Sequence, residues 1–119
     1  MDVSITDFIH LVEKKSIWQQ DLYNKPTTYI TGILSEIQEV SDEIRPDNIV
    51  FLEDELGDIF WDYCNLLLCL QKEWKIRSWQ DVFVRARRKY TERVDSGDRD
   101  TTKRQQKSIL QSEHDALYK

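Results

Sequence analysis

Breaks are scarce in this sequence, and that scarcity constrains its fold more than any other feature. The 119 residues include three Gly and two Pro. A many-stranded sheet needs frequent turn chemistry between short strands, and these residues cannot supply it. Long helices separated by a few punctuators are therefore expected: an all-α bundle of four or five helices. At this length the chain is read as one domain, residues 1–119, with a core over about 5–95 and a polar C-terminal helix or tail over about 99–119.

The spacing of apolar residues predicts where the helices lie. The first starts near Thr6 or Asp7, carries Phe8, Leu11 and Val12, and ends between Trp18 and Leu22. Asn24-Lys25-Pro26 breaks the chain. A second helix runs from Pro26 to about Glu43, with Tyr29, Ile30, Ile33, Leu34, Ile37 and Val40 along one side. Arg45-Pro46-Asp47-Asn48 forms the next turn, with Asp47 or Asn48 capping a third helix that reaches toward Trp74. A fourth begins at Ser78, where an acid follows the cap by three residues. After Ser96-Gly97-Asp98 the chain turns polar, and Thr101 to Tyr118 supports only a thin stripe of Ile109, Leu110 and Leu117.

Composition closes other routes. The longest purely apolar run, Leu66 to Leu70, is far below the ~20 residues that cross a bilayer. Met1-Asp2 opens without the basic and apolar regions of a signal peptide, so a cytoplasmic location is expected. Cys64 and Cys69 match neither redox nor zinc spacing and read as buried, reduced thiols. The net charge of -5 implies no general affinity for nucleic-acid polymers or anionic membranes. It is unevenly spread. Residues 36–62 hold ten carboxylates and one base, a local charge of -9, while the rest of the chain is +4.

Within that acidic span, helical geometry separates some carboxylates from others. Residues three or four apart share a face, which pairs Glu36 with Glu39 and groups Glu55, Asp58 and Asp62. With Glu55 at zero, Asp58 and Asp62 fall at about -60° and -20°, and Leu52, Leu56, Ile59, Tyr63 and Leu66 between about +20° and +100°. These acids border the apolar face, whereas Glu53 and Asp54 are expected to be solvated first-turn acids. If helices two and three pack antiparallel across the Arg45 turn, Glu36 and Glu39 approach Glu55 and Asp58. Such close acids require raised pKa values or a cation. Oxygen-only donors favour a hard ion, Mg²⁺ above all. A di-iron carboxylate bundle would need Glu-x-x-His pairs, which neither His10 nor His114 provides; both are expected at the surface.

Glu36-Ile37-Gln38-Glu39 and, after fifteen intervening residues, Glu55-Leu56-Gly57-Asp58 resemble the E-x-x-E and E-x-x-D signature of MazG-like nucleoside triphosphate pyrophosphohydrolases. Trp18-Gln19 and the segment Lys89-Tyr90-Thr91-Glu92-Arg93-Val94 are similar to further family features, so the likeness spans roughly residues 15–95. The resemblance implies an all-α pyrophosphatase fold and Mg²⁺-dependent cleavage of a (deoxy)nucleoside triphosphate to monophosphate and pyrophosphate, with Mn²⁺ as a substitute ion. It implies Glu36, Glu39, Glu55 and Asp58 as metal ligands and a water-activating carboxylate at Glu36 or Glu39. It also implies a homodimer, with pairing into a homotetramer as the alternative, and a role in nucleotide-pool housekeeping.

Asp62 is a further ligand or substrate-site acid on the same face. A triphosphate also needs cations, and Lys89 and Arg93, an i, i+4 pair in a basic stretch, are the candidates. Trp18 is a candidate base-stacking residue, and Asn65 and Asn24 are candidate polar readers. Trp61, Trp74 and Trp79 are expected in core or interface packing. Two rival readings stand beside this one: a dUTPase or phosphoribosyl-ATP pyrophosphohydrolase of the same superfamily, and a non-catalytic helical module with an acidic binding patch.

Overall fold

A computed structural model describes residues 4–19 and 25–119, the side chains of residues 17–19 excepted. Five helices and no strand are present among the described residues: α1 (Ile5–Gln19), α2 (Pro26–Glu43), α3 (Ile49–Lys72), α4 (Trp79–Asp95) and α5 (Arg99–Leu117). The all-α expectation therefore holds. None of these helices is long and apolar enough to cross a membrane. The chain divides into two compact units, residues 1–79 and 80–119.

In the first unit α2 and α3 run antiparallel across a short connector, and α1 packs on α3. Ser4 rather than Thr6 or Asp7 opens α1, its hydroxyl accepting the Asp7 N–H at 3.1 Å. The connector is held by Asn48, which is buried. Its side chain turns back to donate to the Glu43 carbonyl at 2.7 Å and the Glu43 carboxylate at 2.6 Å. Asn48 thus occupies the cap position of α3 without its side chain capping that helix, and it ties the end of α2 to the start of α3.

The third helix stops short of Trp74, which adopts the left-handed φ of 59°. Lys75 N–H reaches the Leu70 carbonyl at 2.9 Å and Trp74 N–H the Gln71 carbonyl at 3.1 Å. This pair of bonds closes a helix in the Schellman manner, with Trp where Gly is usual. The cost is visible in exposure: Trp74 is 88% open to solvent, so it belongs to no core. Gln71 then accepts the Trp79 N–H at 2.8 Å.

Ile9, Val12 and Cys64 form the fully buried centre of this unit, surrounded by Phe8, Phe60, Trp61, Leu68 and Trp79. Phe8 is the aromatic hub, 4.8 Å from Phe60 and 5.7 Å edge-on to Trp61 between ring centroids. Each fully buried aliphatic side chain here contributes about 1.5–3 kcal/mol. Burial pushes the Cys64 thiol up to about 11, as expected of an inert thiol; Cys69 is only partly buried.

The second unit contains a surprise for the polar tail. The α5 segment is a regular helix of 19 residues, begun by Asp98, whose carboxylate accepts the Thr101 N–H at 3.1 Å and the Thr101 hydroxyl at 2.6 Å. Those bonds hold the Asp98 carboxyl below the usual range. The expected stripe of Ile109, Leu110 and Leu117 stays exposed, and the buried residue of this helix is Gln106.

Candidate metal and nucleotide site

Helix α2 turns a stripe of Tyr29, Gly32, Ile33, Glu36, Val40 and Glu43 inward, and α3 answers with Asn48, Leu52, Glu55, Ile59, Asp62 and Leu66. These spacings are the i, i+3, i+4, i+7 recurrence of helices packed along one face. Four acids, Glu36 and Glu43 on α2 and Glu55 and Asp62 on α3, therefore lie within the packed stripe itself, while Glu39 and Asp58 stand at its exposed edge.

The cluster is tight. Glu36, Glu39 and Glu55 offer oxygens all within 4.8 Å of one another, and so do Asp54, Glu55 and Asp58. Glu55 joins the two groups. Asp54, expected to be an ordinary solvated acid, is close enough to Glu55 and Asp58 to share an ion with them. Glu36 Oε2 and Glu55 Oε2 are shielded from water and have no hydrogen-bond partner among the described residues. Burial first, and then the neighbouring Glu39 carboxylate, raise Glu36 to about 7. Glu55 is raised by burial first and by Glu39 next.

Asp62 approaches α2 where that helix has no side chain. A Cβ built at Gly32 would stand 2.9 Å from Asp62 Oδ2, so Gly32 leaves the space the carboxylate uses. Burial and Asp58 raise Asp62, and Lys15 opposes them.

Lys15 of α1 is a cation that the sequence reading passed over. Its ammonium donates to Asn65 Oδ1 and lies 5.6 Å from the Tyr29 ring centroid and 5.8 Å from that of Trp61, within cation–π range. Its position seven residues after Phe8 and three after Val12, on the buried face of α1, is the signal that could have exposed it. Asn65, a candidate reader of the base, is buried with both ends of its amide engaged, since its nitrogen also donates to the Trp61 carbonyl at 2.9 Å. The Trp18 side chain and Asn24 lie outside the described residues.

Lys89 and Arg93 share one face of α4 and flank Tyr90, at 5.5 Å each from its ring. His10 and His114 are exposed, as expected.

A family model described as the MazG nucleotide pyrophosphohydrolase domain matches residues 24–97, more than half of the chain. The chain belongs to the MazG family. Neither the curated proteins nor the solved structures searched give a match. The MazG segment takes in α2, the carboxylate cluster, α3 and α4, and stops before α5. Membership supports a hydrolase acting on nucleotide pyrophosphate bonds, and the MazG acids are of the oxygen-only type that a metal-dependent member requires.

Proposed function

We propose that this chain, read as a single pyrophosphohydrolase domain, hydrolyses a nucleoside triphosphate to monophosphate and pyrophosphate with Mg²⁺. The observation that carries the reading is the pair of shielded, partnerless oxygens, Glu36 Oε2 and Glu55 Oε2, contributed by facing helices within one acidic cluster. A buried acceptor with no donor is costly, and a cation is the partner that suits several converging carboxylates. The donor set fits a hard divalent ion, which Glu36, Glu39, Glu55 and Asp58 would hold, with Asp62 behind them. Mn²⁺ has the same taste for oxygen and would substitute. Bound there, the ion supplies positive charge against the phosphate oxygens.

The chain's own residues then have distinct tasks. Attack of water at phosphorus forms one P–O bond, breaks the bond to the departing pyrophosphate and releases a proton. Glu36 or Glu39, whichever is not fully committed to the ion, would receive it as the general base. Lys89 and Arg93 are substrate cations, and Trp18 is a stacking residue for the base. A pool-cleaning role and a cytoplasmic location are part of the same proposal.

A homodimer, which could pair into a tetramer, is supported by apolar side chains left open to water. Ile30, Leu34 and Ile37 on α2 and Ile49, Phe51 and Leu56 on α3 are all exposed. On α2 they lie about 100° around the helix from the inward stripe. Exposed apolar surface on this scale is characteristic of an interface.

A panel of standard and modified nucleoside triphosphates, incubated with and without Mg²⁺ and scored separately for monophosphate, pyrophosphate and orthophosphate, tests the function. Pyrophosphate release that requires the ion, and that falls at least a hundredfold in Glu39→Gln and Asp58→Asn, is the expected result. Orthophosphate release, or activity indifferent to both substitutions, would defeat it. Sharp selectivity for dUTP or phosphoribosyl-ATP would narrow the substrate and keep the chemistry.

A further inference from the structure

The second unit contains a groove of about 580 Å³ between α4 and α5. Ala86, Lys89, Tyr90 and Arg93 line it from α4 and Lys103, Gln106, Lys107 and Leu110 from α5. Each set repeats at i, i+3, i+4 and i+7, so each is one continuous face of its helix. Gln106 is its floor. It is 8% exposed, its amide nitrogen donates to the Lys89 carbonyl at 3.0 Å and the Glu92 carboxylate at 2.8 Å, and its amide oxygen accepts from Arg93 Nε at 2.9 Å.

Charge in the groove is organised by these bonds. Glu113 is taken up by Arg85 at 2.9 Å and Arg88 at 3.8 Å, and Glu92 by Gln106. Lys89, Arg93, Lys103 and Lys107 have no acid within ion-pair distance among the described residues. Six bases line the groove against Glu92 and Glu113, a surplus of four positive charges, enough to balance a condensed diphosphate. Because Gln106 engages only Nε, it fixes the guanidinium plane and leaves the two terminal nitrogens as a fork for phosphate oxygens. The volume suits a small ligand rather than a polymer, since small-molecule pockets run from about 300 to 1,000 Å³.

We propose that the α4–α5 groove is a binding site for a condensed phosphate, in which Lys103 and Lys107 act with Lys89 and Arg93 and the buried Gln106 positions Arg93. The identity of the ligand as the diphosphate portion of substrate or product rests on the triphosphate-hydrolase reading. The site itself does not. Helix α5 lies outside the family-matched residues 24–97, so the family match does not itself imply its contribution.

The test is calorimetric titration of the full chain with inorganic pyrophosphate in EDTA, which removes any ion from the carboxylate cluster. Arg93→Met and Gln106→Met should each weaken binding about tenfold, the scale of one charge-assisted contact. The double variant should bind within about twofold of Arg93→Met alone, because residues acting through one another are not additive. Lys103→Met with Lys107→Met, two exposed side chains whose loss leaves the helix packing intact, should weaken binding by a similar factor. Arg104→Met, the same charge change outside the groove, should leave it unaltered.

Absence of pyrophosphate binding, equal binding by every variant, additive effects of Arg93→Met and Gln106→Met, or an oligonucleotide that occupies the groove and resists displacement by pyrophosphate would each overturn the proposal. Binding with the expected pattern in a chain that hydrolyses no triphosphate would defeat the enzymatic reading and uphold the anion site. Hydrolysis with no groove binding would do the reverse.

Discussion

Replacing Glu36 by Gln preserves shape and removes one charge from the acidic cluster, so it separates the cost of that charge from its use. Two like charges 4.8 Å apart, the limit that encloses Glu36, Glu39 and Glu55, repel by about 0.9 kcal/mol at the dielectric of water and about 3.5 kcal/mol at an effective value of 20. Solvent reaches the cluster on the Glu39 side, so the lower part of that range governs. Removing the charge should stabilise the ion-free chain by about 1–2 kcal/mol at pH 8 after allowing for screening. The new amide also brings donors to a place where two buried oxygens have none.

At about 3–6 °C per kcal/mol for a chain of this length, the melting temperature of Glu36→Gln in EDTA at pH 8 should rise by at least about 3 °C. The pH dependence has a definite sign. Glu36 is raised from 4.5 to about 7, so between those values the folded chain binds more protons at this group than the unfolded chain. The wild type is therefore stabilised as pH falls through 7 toward 4.5, and ionisation above 7 removes that stability. The variant's advantage should shrink to nothing near pH 5. Saturating Mg²⁺ should reverse the order at pH 8, stabilising the wild type and leaving the variant almost unmoved. Scanning calorimetry at the two pH values, with EDTA and with Mg²⁺, reads all of this. A variant no more stable than wild type in EDTA at pH 8 would refute the electrostatic reasoning.

Two further substitutions probe how α2 and α3 are held together. Gly32→Ala gains about 1 kcal/mol of helix propensity but places a methyl 2.9 Å from Asp62 Oδ2; thermal stability should change by less than about 1 kcal/mol while Mg²⁺ affinity falls severalfold, and an unaltered affinity by titration would mean that Asp62 takes no part. Asn48→Ala loses both bonds to Glu43 and should cost about 1–3 kcal/mol in urea unfolding, with a change below 0.5 kcal/mol counting against the tie between the helices.

The acidic site was legible because helix arithmetic governs it. Glu36 and Glu39, and Glu55 and Asp58, are set by spacing along single helices joined by a short turn, and the Arg45-Pro46 break announces that turn. The exact rotation of each helix was not. A shift of some tens of degrees moves Glu36 and Glu55 from the border of the apolar stripe into it, brings Asp54 within reach, and leaves Ile30, Leu34 and Ile37 outside. Local spacing puts Lys15 on the buried face of α1, but its partner Asn65 is fifty residues away, and that meeting is recorded in no local pattern. Trp74 misled for a different reason: the bonds that end α3 accept a left-handed residue there, and Trp is not the residue that announces one. The tail looked marginal because its cohesion is polar. Asp98 starts it and Gln106 anchors it, and neither belongs to an apolar periodicity.

The place where α5 begins has a practical consequence for where this protein can be cut. The family model matches residues 24–97, and a fragment ending there would retain every carboxylate of the acidic cluster as well as Lys89 and Arg93. It would lose Gln106, and with it the hydrogen bond that holds the Arg93 guanidinium at 2.9 Å. Arg93 in such a fragment would keep its charge and forfeit its orientation, binding phosphate as a loose cation instead of a fixed fork. The end of the family match thus separates Arg93 from the residue that orients it, and a fragment meant to keep that orientation extends at least through the turn of α5 that bears Gln106.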